Sequence, residues 1–246
     1  MNYRLLLTVL ALSTLGCSNA AEKESLAKKS EFHYKLAVNS YLDKDVTSAL
    51  AESYKAIEAN PANPQAHHLL GFIYMGRQQY SESLKHMEKA VALDPRYFEA
   101  RANLGALQLA MENWQAAIDA LMPLTREPLY GTPYIINHNI GWAYYNLGNL
   151  ALAERYTKMA LFLNTKMCLA YNTLALIYDK QRKPEDAIDT LREANRLCPE
   201  YQDPFFHLGT LLEKSQRFDE AKAIYDKCKR LAPESQMGRR CGRKVQ

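Results

Sequence analysis

Residues 64–95 read PQAHHLLGFIYMGRQQYSESLKHMEKAVALDP, and their pattern returns along the chain. Leu70 is followed by the small Gly71, Ser83 stands thirteen residues past Leu70, Ala90 seven further on, and the stretch closes on Pro95. Outward from here, Leu70 belongs to the register Leu36, Leu70, Leu104, Ile140, Leu174, Leu208, with steps of 34, 34, 36, 34 and 34. The following residue is always small: Ala37, Gly71, Gly105, Gly141, Ala175, Gly209. Two further registers run Ala49, Ser83, Ala117, Ala153, Ala187, Ala221 and Ala56, Ala90, Leu124, Ala160, Ala194, Cys228, and four units close on Pro61, Pro95, Pro199 and Pro233. Paired helices approach closely only where a side chain is missing, so a small residue beside a large apolar one marks a helix–helix contact. Proline lacks an amide hydrogen and has a fixed φ, so it ends one unit and opens the next.

This period and pattern resemble the tetratricopeptide repeat (TPR), a helix-turn-helix unit. The resemblance implies an all-α, right-handed solenoid of six repeats, at 30–63, 64–97, 98–131, 134–167, 168–201 and 202–235, with no strand required. One hairpin cannot bury its apolar face alone, so neighbours stack. The product is a binding surface. Pro123 falls inside the second helix of the third unit and is expected to cut it short.

Net charge is +4, and residues 236–246 hold Arg239, Arg240, Arg243 and Lys244 with no acid. The repeat body is therefore near neutral. It lacks the basic stripe that nucleic-acid binding requires. The basic tail reads as a solvated end in preference to an anionic-lipid contact.

Residues 1–16, MNYRLLLTVLALSTLG, carry Arg4 and then an apolar run from Leu5 to Leu15. That is the length of a signal-peptide core and too short to span a bilayer. Cys17 follows Gly16, which resembles a bacterial lipobox, although Thr14 and Leu15 stand where the strict motif has leucine and a small residue. The expectation is a signal peptide over 1–16, acylation at Cys17, and a polar tether over 17–29. The alternative is an ordinary secretory cut near Ala20–Ala21. Ser18 after the cysteine favours the outer membrane, with the protein on its periplasmic face and palmitate-type chains as the anchor.

Four cysteines remain: Cys168, Cys198, Cys228 and Cys241. An even number in an exported chain suggests two disulfide bonds. The positions favour Cys168–Cys198 and Cys228–Cys241, with Cys198–Cys228 and Cys168–Cys241 as the rival pairing. No CxxC pair or nearby histidine offers a metal site.

The six histidines form no catalytic or metal-binding motif, and ten glycines leave no phosphate-cradling loop. The chain is not expected to be an enzyme, to hold a cofactor or metal, or to take a small-molecule substrate. His33, His67 and His207 fall beside helix contacts, whereas His68 and His138 fall on the face expected to be concave. That face, taken at i, i+4, i+7 on each first helix, carries Tyr34, Val38, Tyr41, then His68, Phe72, Met75, then Ala102, Ala106, Leu109, then His138, Trp142, Tyr145 with Ile135 a turn earlier. The last two units are more polar: Asn172, Leu176, Asp179 and Phe206, Thr210, Glu213. The set reads either as core between units or as an aromatic-rimmed groove. The candidate groove residues are Tyr34, Val38, Tyr41, Phe72, Met75, Ile135, Trp142 and Tyr145. The Lys/Asn/Arg clamp of chaperone-binding TPRs cannot be built from these positions.

The irregular junction Thr125–Tyr134, TREPLYGTPY, with two extra residues, precedes Asn137-x-Asn139-Ile140-Gly141-Trp142-Ala143-Tyr144. Together with the Cys17 lipobox and six TPRs, it resembles the type IV pilus secretin pilotins, the PilF/PilW/Tgl-like group, from Cys17 to about Pro233. The resemblance implies a lipoprotein that binds a secretin subunit, the outer-membrane channel protein, and promotes its localisation and multimerisation for pilus biogenesis. The alternative is a TPR lipoprotein scaffold or adaptor of another envelope complex, for peptidoglycan synthesis or secretion.

Overall fold

The computed structural model describes residues 3–127 and 130–245, and for residues 3–20 the backbone alone. The Cys17 side chain lies outside the described part. Among the described residues the fold is all helical. The helices are α1 (Tyr3–Leu42), α2 (Val46–Ala59), α3 (Pro64–Gly76), α4 (Tyr80–Leu93), α5 (Phe98–Ala110), α6 (Trp114–Leu121), α7 (Pro133–Asn146), α8 (Leu150–Leu163), α9 (Cys168–Lys180), α10 (Pro184–Leu197), α11 (Gln202–Lys214), α12 (Phe218–Leu231) and α13 (Gln236–Lys244). They fall into two compact units, Met1–Leu107 and Gln108–Gln246. No described helix is long and apolar enough to cross a membrane.

Each hairpin follows from local chemistry. Asn63 and Asn149 accept the first free amides of α3 and α8, from Ala66 and Leu152 at 3.0 and 3.1 Å. Pro64, Pro133 and Pro184 occupy first-turn positions. The small register is where helices touch. A Cβ on Gly71 would lie 2.7 Å from Met87 Cγ, and one on Gly209 would lie 2.6 Å from the Tyr225 ring. The turn between the paired helices repeats as well. Lys44, Gln78, Glu112, Arg182 and Gln216 all have φ between 59° and 64°, and Gly148 has φ 80°. This left-handed residue reverses the chain after each first helix.

Four features depart from the simple repeat. The α1 helix runs unbroken through residues 17–29, so the segment expected to be a tether is helical. Buried Ser30 donates to the Ala56 carbonyl at 2.7 Å and accepts from Asn63 Nδ2 at 2.8 Å. Register residue Leu36 is exposed, whereas Leu70, Ile140, Leu174 and Leu208 are buried. Pro123 has the expected effect: α6 is 8 residues long where α4 and α8 have 14, and a 3-10 helix over Met122–Arg126 replaces its end.

The fourth departure is a correction. Residues 236–245 are not a solvated tail. Over Gln236–Lys244 they form α13, which packs on α11 and α12 with Gly238 and Cys241 buried. Ser235 caps it by accepting the Gly238 amide at 2.8 Å, and the Ser235 hydroxyl donates to Gln202 Oε1 at 2.6 Å. Gln202 Nε2 donates to the Cys228 carbonyl at 2.8 Å. Cys228 and Cys241 are joined by a disulfide, as are Cys168 and Cys198.

Candidate functional site

The candidate groove residues divide between the two units, and each group stands by itself. In the unit Met1–Leu107, Tyr34, Val38, Tyr41, Phe72 and Met75 are all half-buried. Tyr41 meets Phe72 edge to face at 5.8 Å between ring centroids. These two rings, with Val46, Ile73, Met75 and Arg77, line a hollow. An edge-to-face pair keeps an apolar surface without collapsing it.

His68 stands behind this group. Its Nε2 faces Asn103 Nδ2 at 2.8 Å and its Nδ1 faces Tyr97 Oη at 2.8 Å. The Asn103 amino group donates, so Nδ1–H donates to the tyrosine oxygen and the imidazole is neutral. Burial pushes its pKa down to about 4. The same burial raises the Tyr97 and Tyr34 hydroxyls above the usual tyrosine range. His68 is thus a positioning contact between α3 and α5.

In the unit Gln108–Gln246, Trp142 and Tyr145 stack with their ring planes 17° apart and centroids at 5.3 Å. The Lys180 ammonium sits 3.9 Å from the Tyr145 ring centre, a cation–π contact from α9 onto α7. Trp142 and Tyr145 are half-buried, and Ile135 is exposed. His138, expected on the open face, is instead buried, with Nε2 3.0 Å from Thr173 Oγ1 and its pKa lowered by burial to about 4. Asn172 is buried too, its Oδ1 2.6 Å from His207 Nδ1.

These polar contacts share a spacing. His68–Asn103, His138–Thr173, Asn172–His207 and Asp179–Lys214 all join residues 35 apart, one repeat plus one residue. The ladder ties α3 to α5, α7 to α9 and α9 to α11. It explains why part of the expected open face is buried.

A second apolar hollow was not among the expected site residues. Ala175, Leu176, Leu191 and Leu211 line it, and Asp179 and Lys214 join beside it in an ion pair of 2.6 Å. Asp179 and Thr210, with Asn172 and Glu213 on the same faces, make this stretch read as polar in sequence. The leucines beneath come from α9, α10 and α11 together, a convergence that no single helix pattern displays. No group of three or more metal-binding side chains occurs among the described residues.

Helical hairpins with this register, turn and ladder have the fold of the tetratricopeptide repeat. Two tetratricopeptide repeat family models match it, one over residues 64–97 and the other over 169–201 and 203–235. The fold is shared with two solved proteins of nearly the same extent. PilF of Pseudomonas aeruginosa superposes with a TM-score of 0.71 at 18% identity, over 89% of this chain and 99% of that one. PilW, described as a widely conserved type IV pilus biogenesis factor, superposes with a TM-score of 0.75 at 20% identity, over 86% of this chain and 97% of that one. A curated relative is the UDP-N-acetylglucosamine–peptide N-acetylglucosaminyltransferase of Giardia intestinalis, 29% identical over 102 residues, which are 40% of this chain and 7% of that protein. The chain spans under a third of the length of each curated relative it matches.

Proposed function

We propose that this protein is an outer-membrane lipoprotein that captures secretin subunits and promotes their multimerisation for type IV pilus assembly. The observation that carries the reading is the fold match to PilF and PilW over nearly the full length of those chains. The matches take in only 7–29% of the curated relatives' own lengths, so their activities are not carried over.

The work requires no bond to be made or broken. Acylation at Cys17 supplies the membrane address. The half-buried aromatics Tyr41 and Phe72 in one unit, and Trp142 and Tyr145 in the other, supply apolar grip. Tethering raises the local concentration of captured subunits where they assemble. Each aromatic anchor that a partner covers buries about 150–250 Å². At about 25 cal/mol per Å² that is several kcal/mol gross, before ordering costs.

Affinity purification from detergent-solubilised envelopes tests the reading. The secretin is expected to co-purify, and deletion of the protein is expected to deplete secretin multimers while subunits persist. Recovery of a peptidoglycan synthase without secretin, or normal multimers in the deletion strain, would contradict it.

A further inference from the structure

We infer that α13 and the end of α12 form a cationic docking face for the phosphate headgroups of an anionic lipid surface. A nine-residue helix with glycine at 238 and 242 has no intrinsic stability in water. It is held by the Cys228–Cys241 disulfide, by the Ser235–Gln202 contact, and by the fit of Gly238 against the Ala232 carbonyl. Its inward side chains are Met237, Cys241 and Val245, all packed on the core of α10–α12.

Its cations divide into two ridges. Arg240 and Lys244 turn toward the protein. Arg240 lies 4.2 Å from the Phe206 ring centre, and Lys244 pairs with Glu213 at 2.7 Å. Arg239 and Arg243, one turn apart, share the other ridge with Gly242 and are exposed. The α12 residue Lys229 crosses that ridge at the glycine. Its Cδ is 3.6 Å from where a Gly242 Cβ would stand, and it too is exposed. Arg239, Arg243 and Lys229 have no acidic partner among the described residues; Arg239 reaches only the Glu234 carbonyl.

The face therefore holds three unpaired cations, and the apolar residues of α13 all lie on the opposite side. A protein partner needs an apolar centre that can be desolvated, and this face offers none. A headgroup layer needs only exposed cations, each contributing about fivefold in affinity. Free phosphate would meet the cations one at a time, without the repeated array that a bilayer presents.

The test uses the full chain with two kinds of vesicle, phosphatidylcholine alone and an equal mixture with phosphatidylglycerol. The amino-terminal segment is common to every sample, so the ratio of the two affinities isolates the contribution of lipid charge. The double variant Arg239→Gln/Arg243→Gln is expected to lower that ratio about 25-fold, with an unchanged melting temperature because both side chains are exposed. Raising the salt should collapse the wild-type ratio toward that of the variant. An unchanged ratio in the double variant overturns the inference. So does binding of soluble poly-glutamate that matches the mixed vesicles at equal charge, which would make the partner an acidic polypeptide.

Discussion

The Trp142 indole lies nearly parallel to the Tyr145 ring at 5.3 Å, and the Lys180 ammonium stands 3.9 Å from the centre of that tyrosine. The stacked pair lies on α7 alone, and Lys180 of α9 meets it through the cationic contact, on a surface that stays half open. Aromatic residues that served only as core would be closed over, as Phe205 and Tyr225 are. The half-open stack is the feature most suited to hold a partner.

Acylation should depend on Cys17. Cys17→Ala is expected to abolish incorporation of a fatty-acid analogue and leave the protein soluble or as its precursor. Undiminished label in the variant would refute the assignment.

The two disulfides should stabilise the end of the chain. In the chain-entropy picture each contributes about 3–4 kcal/mol. Reduction is expected to raise amide exchange first in α9–α13, with α13 exchanging fastest, because a repeat array frays from its end. Equal loss of protection in α1–α4 would contradict this.

Stability should fall on mild acidification. His68, His138 and His86, which is buried on α4, are neutral in the fold, with pKa values held down to about 4 by burial, against 6.5 for each in a free chain. Between those values the unfolded chain binds protons that the folded one does not. The stabilisation is therefore complete above pH 6.5 and is lost as pH falls toward 4. His138→Gln should flatten the melting-temperature profile across this window. A profile unchanged in slope would show that His138 titrates normally in the fold.

The glycines should divide by their surroundings. Gly209→Ala forces a Cβ against the Tyr225 ring at 2.6–2.8 Å and should cost about 1–3 kcal/mol. Gly148→Ala should destabilise because φ is 80°, although nothing crowds it. Gly76→Ala, with ordinary φ and open space, should be neutral or stabilise by about 0.5–1 kcal/mol. Denaturant unfolding of the three variants checks the order.

The repeat was legible because its contacts recur at one period. Leu70 with Gly71, and Leu208 with Gly209, need only the register to be recognised, and Pro123 announces its own short helix. The turn residues carry no such mark, although they keep the same spacing. Lys44, Gln78, Glu112, Arg182 and Gln216 share a backbone conformation and no side-chain chemistry, so residue type carries no signal. His138 was misplaced because a helical face assigned by spacing alone ignores the next helix, whose Thr173 covers it. The basic composition of the tail hides an inward triad of Met237, Cys241 and Val245 that only packing reveals.

Open aromatics that grip a partner should contribute little to folding. Trp142→Ala and Leu174→Ala, compared for secretin binding in vitro and for melting temperature, separate the two roles. Leu174 is buried on the packing face, and its truncation should cost about 2–5 kcal/mol of stability. Trp142→Ala should weaken secretin binding by about 2–4 kcal/mol while losing much less stability. If Trp142→Ala melts the protein as severely as Leu174→Ala, Trp142 is core; if it folds and binds secretin normally, the stacked pair is not the grip.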